Sequence, residues 1–129
     1  MTRRIVTVEP DDHLSLVRGI FAATGFHHLL VVEGGKLVGV VSDRDLLKAL
    51  SPYLGSAAET SHDAATLNRR AHQIMSRHPT VIDADASVSA VVEIFQRQPI
   101  SCVPVVDPAH HPIGIVTWRD LLSHWEIRA

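Results

Sequence analysis

The sequence contains a single cysteine, Cys102, among 129 residues, so the chain cannot close a disulfide on itself. That usage fits a reducing compartment, and a cytoplasmic location is expected. Charge of one sign is also missing. The formal net charge is -2, which gives no broad basic field to attract nucleic acid. No apolar run exceeds strand length, so no membrane span is expected. Met1-Thr2-Arg3-Arg4 leads into a strand-like segment and not into an apolar signal core. Catalytic signatures are lacking too: there is no Ser-His-Asp order, no acid pair and no Walker-type Gly-Lys pattern, so an enzyme is not expected. Nine histidines are many for this length, yet they form no helical His-x-x-x-His beside an acid. The adjacent pairs His27-His28 and His110-His111 project to opposite faces of an extended chain, and no metal site is expected.

What is present is ordinary globular composition, 46% apolar and 20% charged, enough for a real core. That core is written twice. Met1-Thr2-Arg3-Arg4 matches Met75-Ser76-Arg77-His78 at a shift of 75 − 1 = 74. The same shift relates Val8 to Ile82, Leu14 to Val88, Phe21 to Phe95, and Val31-Val32-Glu33 to Val105-Val106-Asp107. Gly39-Val40-Val41-Ser42-Asp43-Arg44-Asp45 matches Gly114-Ile115-Val116-Thr117-Trp118-Arg119-Asp120 at 114 − 39 = 75. The extra residue falls in the turn between Asp107 and Ile113, where insertions are tolerated.

Each copy predicts the order β-α-β-β-α. In the first, Ile5 to Val8 reads as a strand, and Pro10-Asp11-Asp12 as a turn that caps a helix. That helix carries Leu14, Val17 and Phe21 and stops at Gly25. His28 to Glu33 and Leu37 to Val41 form a hairpin about Gly34-Gly35, and a helix runs from Asp43 to about Leu50. In the second, the strand is Thr80 to Ile82. The helix stripe is Val88, Val91, Val92 and Phe95, and strands follow at Cys102 to Asp107 and Ile113 to Val116. The last helix aligns Trp118, Leu121, Leu122 and Trp125, whose tryptophans are expected in core or interface packing. Residues 1–50 form unit one, 51–68 a loop or linker, and 69–129 unit two with a lead-in helix over Arg69 to Met75. Because the sequence begins at the equivalent of Met75, either the protein starts here or this is a module of a larger chain. Units of this size are marginal alone, so the expected fold is α+β, with α/β-type layers. The two units would be related by a pseudo-twofold, their sheets packed together.

Both junctions between the last strand and last helix have the same chemistry. Ser42 or Thr117 suits an N-cap, and Asp45 or Asp120 falls at the third helical position, close to a capping box. A helix start also favours phosphate. A carboxylate one turn on is a good acceptor for both hydroxyls of a ribose. Helix cap and ligand site remain alternative readings of these residues.

The paired Gly-Val-Val-Ser-Asp-Arg-Asp and Gly-Ile-Val-Thr-Trp-Arg-Asp motifs sit in the β-α-β-β-α order. With Met75-Ser76-Arg77-His78-Pro79 and Val103-Pro104-Val105-Val106-Asp107, they resemble the CBS domain, and two in tandem resemble a Bateman module. The resemblance covers nearly the whole chain apart from the linker. It implies a regulatory, energy-sensing module that binds AMP, ADP or ATP, the last with Mg²⁺, between the units, and that requires no cofactor. S-adenosylmethionine and NAD are further ligands of the family. It implies a homodimer through paired modules, and a regulated enzyme or transporter as partner. The implied adenine slot in unit two comprises Thr80, Ile82, Ile100, Ser101, Cys102, Val103 and Pro104, with Thr117 as a donor at the phosphate and Asp120 at the sugar. The slot in unit one comprises Val6, Val8, Phe26, His27 and His28, with Ser42 and Asp45. Arg44, Arg119 and Arg77 are candidates for the phosphates. Unit two is the expected better site. The alternative is a structural dimerisation module with empty pockets.

Overall fold

The computed structural model is described for residues 1–128, and for side chains as far as residue 123. The Trp125 side chain and Ala129 therefore lie outside the described residues. Unit one runs β1 (Thr7–Val8), α1 (Leu14–Thr24), β2 (His28–Glu33), β3 (Lys36–Ser42) and α2 (Asp43–Ala49). After α3 (Ser61–Ala65) and two short 3₁₀ turns come β4 (Ser76–Arg77), α4 (Val88–Arg97), β5 (Cys102–Val106), β6 (Pro112–Thr117) and α5 (Trp118–Arg128).

The two hairpins are built alike. β2 pairs antiparallel with β3, and β5 with β6. Their registers shift at equivalent places, between Val31 and Val32 and between Val105 and Val106. Gly34 and Gly35 take φ of 59° and 80°, which a two-residue hairpin turn of this hand requires. β1 adds parallel to β2. The matching strand expected at Thr80 to Ile82 is only one parallel bridge, Ile82 to Val105. The strand expected from Ile5 is likewise confined to Thr7–Val8.

Each hairpin carries helices on one face and meets the other unit with its opposite face. Leu14, Val17, Leu29, Val31, Val41 and Leu46 form the core of unit one. Val91, Phe95, Val103, Val105 and Val116 form that of unit two. Between the sheets, Leu30, Leu37 and Val40 pack with Cys102, Val106 and Ile115 in a third, shared core. This is the arrangement that alternating sheet faces impose when neither unit can close alone.

The segments leading into the units are exchanged. Met1-Thr2 runs beside the last strand of unit two, where Thr2 and Ile115 trade backbone hydrogen bonds of 2.9 Å in both directions. Likewise β4 pairs with β3 of unit one, Arg77 opposite Gly39 and Ser76 opposite Val40. The segment expected as a lead-in helix is a 3₁₀ turn over Ala71–Gln73, and Ala71 is fully buried in the core of unit one.

Local chemistry explains the remaining departures from expectation. Asp12 does not cap α1; its carboxylate accepts from Glu9 N at 2.7 Å and closes the preceding turn. The N-cap position is His13, without a side-chain cap, and the free Leu14 N–H donates instead to Arg69 O at 2.8 Å. Gly25 does end the helix, at φ 70°, its N–H bonded to Phe21 O. The linker is not all loop: Thr60 and Asp63 build a capping box that starts α3, and Ser51 donates to Asp63 at 2.6 Å. On α4, Val88 is exposed and Ile94 packs inward. Trp118 is not a core residue: it is 44% exposed and leans on Phe95 with ring centroids 4.9 Å apart.

Candidate functional site

Both strand-to-helix junctions form the reciprocal cap that their spacing predicts. Ser42 Oγ accepts from Asp45 N at 3.1 Å while Ser42 N donates to Asp45 Oδ2 at 2.9 Å. Thr117 Oγ1 accepts from Asp120 N at 3.4 Å while Thr117 N donates to Asp120 Oδ2 at 2.9 Å. Asp does the work of the usual Glu because the N-cap backbone lies within its shorter reach.

Each junction opens onto a cleft whose far wall belongs to the other unit. The first cleft, of about 400 Å³, sets Thr117, Trp118 and Arg119 against Arg4, Phe26, His27 and His28. The second, of about 550 Å³, sets Ser42, Arg44 and Asp45 against Thr80, Ile100, Ser101 and Cys102, with Lys48 and Arg77 at its rim. The sequence reading had assigned slot and sugar acceptor to the same unit. Packing the sheets face to face turns each junction away from its own hairpin and towards its neighbour's, so the two halves of each site are crossed.

Most of the expected residues fall in these clefts, and some do not. Val8 and Val103 are buried in the cores of their own units, and Val6 and Ile82 pack against those cores. Pro104 is fully buried as well. None of these five lines either cleft. Asp120 faces neither cleft; it lines a third cavity of about 290 Å³ with Met1, Arg3, Ile82 and Asp83. Lys48 was missed, although its place one turn after Arg44 on the same helix could have shown it. Arg4 and Trp118 were missed as lining of the first cleft because their placement depends on the crossing. Arg4 lies over the Phe26 ring, 5.6 Å from its centroid.

His28 and Ser101 line both clefts and share a hydrogen bond of 2.7 Å, so together they form the partition between them. Burial holds the His28 pKa below its ordinary value, against the attraction of Asp43 and Asp45. His27 instead bonds Asp43 at 2.8 Å on the surface and draws that carboxyl below its usual range. Burial pushes the Cys102 thiol up to about 12, which leaves it a neutral apolar wall residue and not a nucleophile. Helix α2 is only seven residues long, so its dipole is small and the attraction for anions comes from Arg44, Lys48 and Arg77. Among the described residues, no group of three or more His, Cys, Asp or Glu could hold a metal ion. No described helix is long and apolar enough to cross a membrane.

Two mutually packed β-α-β-β-α units, with exchanged lead-ins and crossed clefts at their shared seam, define a tandem α/β module. The profile of the CBS domain matches residues 1–52 and 71–126, and the chain belongs to the CBS domain family as a tandem pair. The uncharacterized protein MJ1225 of Methanocaldococcus jannaschii is 29% identical over 126 residues, covering 97% of this chain and 45% of that protein. The chain thus spans about half the length of that relative. The CBS domain-containing protein DDB_G0289609 of Dictyostelium discoideum is 30% identical, covering 95% of this chain and 86% of that one. Among solved structures, the CBS domain pair of protein MJ0100, in complex with 5′-methylthioadenosine and S-adenosyl-L-methionine, superposes with a TM-score of 0.80. It is 25% identical, and the match covers 100% of this chain and 94% of that one.

Proposed function

We propose that this CBS pair is a regulatory module that binds an adenosine-containing ligand in the clefts between its units and passes the bound state to a partner. The observation that carries the reading is the second cleft. It brings one ribose-type acceptor, Asp45, and three cations, Arg44, Lys48 and Arg77, opposite a wall of Ile100, Ser101 and Cys102. A carboxylate for the diol, cations for phosphate and an apolar notch for a base are the three things a nucleotide needs. The adenosine ligands of the MJ0100 pair support the same class here. AMP, ADP and ATP, the last with Mg²⁺, fit the three cations, and S-adenosylmethionine and NAD are the alternatives. The test is calorimetry with AMP, ADP, ATP, S-adenosylmethionine and 5′-methylthioadenosine. Submillimolar binding of at least one is expected, and failure of all five would end this reading.

A second reading, a structural dimerisation module, is favoured by one observation. Leu47 and Leu122 hold equivalent positions on α2 and α5 and are 72% and 60% exposed. Two such apolar side chains on the outer helices suit pairing with a second copy. Sedimentation should then give a dimer that Leu47→Glu with Leu122→Glu dissociates. A monomeric wild type would dismiss the pairing.

A further inference from the structure

The two junction carboxylates look alike in sequence and differ in what they have left to offer. An ionised carboxylate has about four acceptor positions. Asp120 uses three of them within the chain. Its Oδ2 takes Thr117 N at 2.9 Å and the Thr117 hydroxyl at 3.3 Å, and its Oδ1 takes the Thr2 hydroxyl at 2.8 Å. Asp45 uses one, Oδ2 with Ser42 N at 2.9 Å, and its Oδ1 accepts no hydrogen bond among the described residues. A cis-diol needs two acceptor positions on one carboxylate, ideally one on each oxygen. Asp45 can supply them and Asp120 cannot.

Two bonds make the difference, one from the Thr117 hydroxyl to Oδ2 and one from the Thr2 hydroxyl to Oδ1, and only the second occupies the oxygen that is free in Asp45. Thr2 and Ser76 are equivalent, each held beside the last strand of a unit by backbone pairing. Thr2 spends its hydroxyl on the facing aspartate, whereas Ser76 makes no such bond and stands exposed at the rim of the second cleft. The accessible surfaces agree: Asp45 lines its cleft, while Asp120 is turned to the cavity beside Met1 and Arg3.

We propose that only the second cleft reads a ribose diol, and that Thr2 is the specificity-determining residue that withholds this capacity from the first. This rests on the nucleotide reading given above and narrows it. It also divides the expectation that unit two is the better site: the second cleft keeps the unit-two wall of Thr80, Ile100, Ser101 and Cys102 but takes its sugar acceptor, Asp45, from unit one.

The experiment compares adenosine with 2′,3′-dideoxyadenosine by calorimetry, on the full chain and on the D45N, T2A and T2S variants. Circular dichroism checks that each variant is folded. Wild type should bind one adenosine per chain and discriminate against the dideoxy compound by at least about tenfold, the value of a lost bond to a charged acceptor. D45N should lose that discrimination. T2A should gain a second, diol-dependent event, and T2S, which keeps the hydroxyl, should stay at one. Discrimination that survives in D45N, two diol-dependent events in wild type, or a T2A variant that stays at one would each overturn the proposal. Failure of adenosine to bind any of the proteins would instead remove the nucleotide reading beneath it.

Discussion

Among single residues, His28 has the most consequences. It is half-buried, bonded to Ser101 across the seam, and faced by Asp43, Asp45 and His27. Its folded pKa lies below the ordinary 6.5, with burial the largest cause. The unfolded chain therefore takes up this proton first as pH falls. The stability that neutral His28 contributes is complete above the unfolded value. It is lost progressively as pH drops from about 6.5 to the lower folded value. Urea unfolding at pH 7.5 and 5.5 should show a loss of stability in wild type that is smaller in H28Q. An equal loss in both would assign the titration to other groups. This residue also marks a limit of the sequence. The Ser42/Asp45 and Thr117/Asp120 caps were legible because a cap is decided within four residues. The His28–Ser101 partition joins positions 73 apart, and nothing local to either announces it.

Among elements, the exchanged lead-ins explain two glycines. A Cβ on Gly39 would sit 2.5 Å from Met75 Sδ and 3.0 Å from Ser76 O. One on Gly114 would sit 2.6 Å from Met1 Sδ and 3.0 Å from Thr2 O. The same contact is made twice because the same strand edge is covered twice. Gly39→Ala should therefore destabilise the fold by about 1–3 kcal/mol, the range for overpacking. Most of that penalty should vanish when it is measured in an M75A background, leaving the contact with the Ser76 carbonyl. Denaturant titration of the four-protein cycle measures this, and additive effects would show that Met75 is not what Gly39 makes room for. The sequence exhibited the equivalence of Met1 and Met75 and the repeated glycines. It could not show which strand each lead-in joins, since a two-residue strand carries no periodicity. The helices were more readable: α1 ends at Gly25 and α2 begins at Asp43 as their signals imply. The cap of α1 was misplaced because a backbone carbonyl, Arg69 O, replaced the side chain that the sequence offered.

At the scale of the whole molecule, the two units are legible as a repeat but not as separable bodies. Ala71 fills the core of unit one, with Ile74 and Met75 packed beside it, although all three follow the linker. The inner face of the unit-one sheet, through Leu30, Leu37 and Val40, packs on Cys102, Val106 and Ile115 of unit two, with Ile5 and Val81 at the margin. A chain ending at residue 68 would lack β4, would open the core where Ala71 sits, and would leave three large apolar side chains in water. Burial of each such side chain is worth about 1.5–3 kcal/mol, comparable to the whole stability margin of a domain this small. The fragment 1–68 should accordingly be unfolded, with collapsed amide dispersion in its proton–nitrogen spectrum, while the full chain melts in a single transition. The shared core makes the same demand on a point variant. Leu30→Ala should destabilise both halves together, by the roughly 2–5 kcal/mol such truncations cost. Hydrogen exchange resolves the halves: protection lost equally in β2–β3 and β5–β6 is the expected result. A unit two that keeps its protection while unit one opens would mean that the seam is a contact between finished domains. The clefts could then widen without either unit unfolding, and a ligand bound there would have to signal by moving the units apart instead of by tightening a common core.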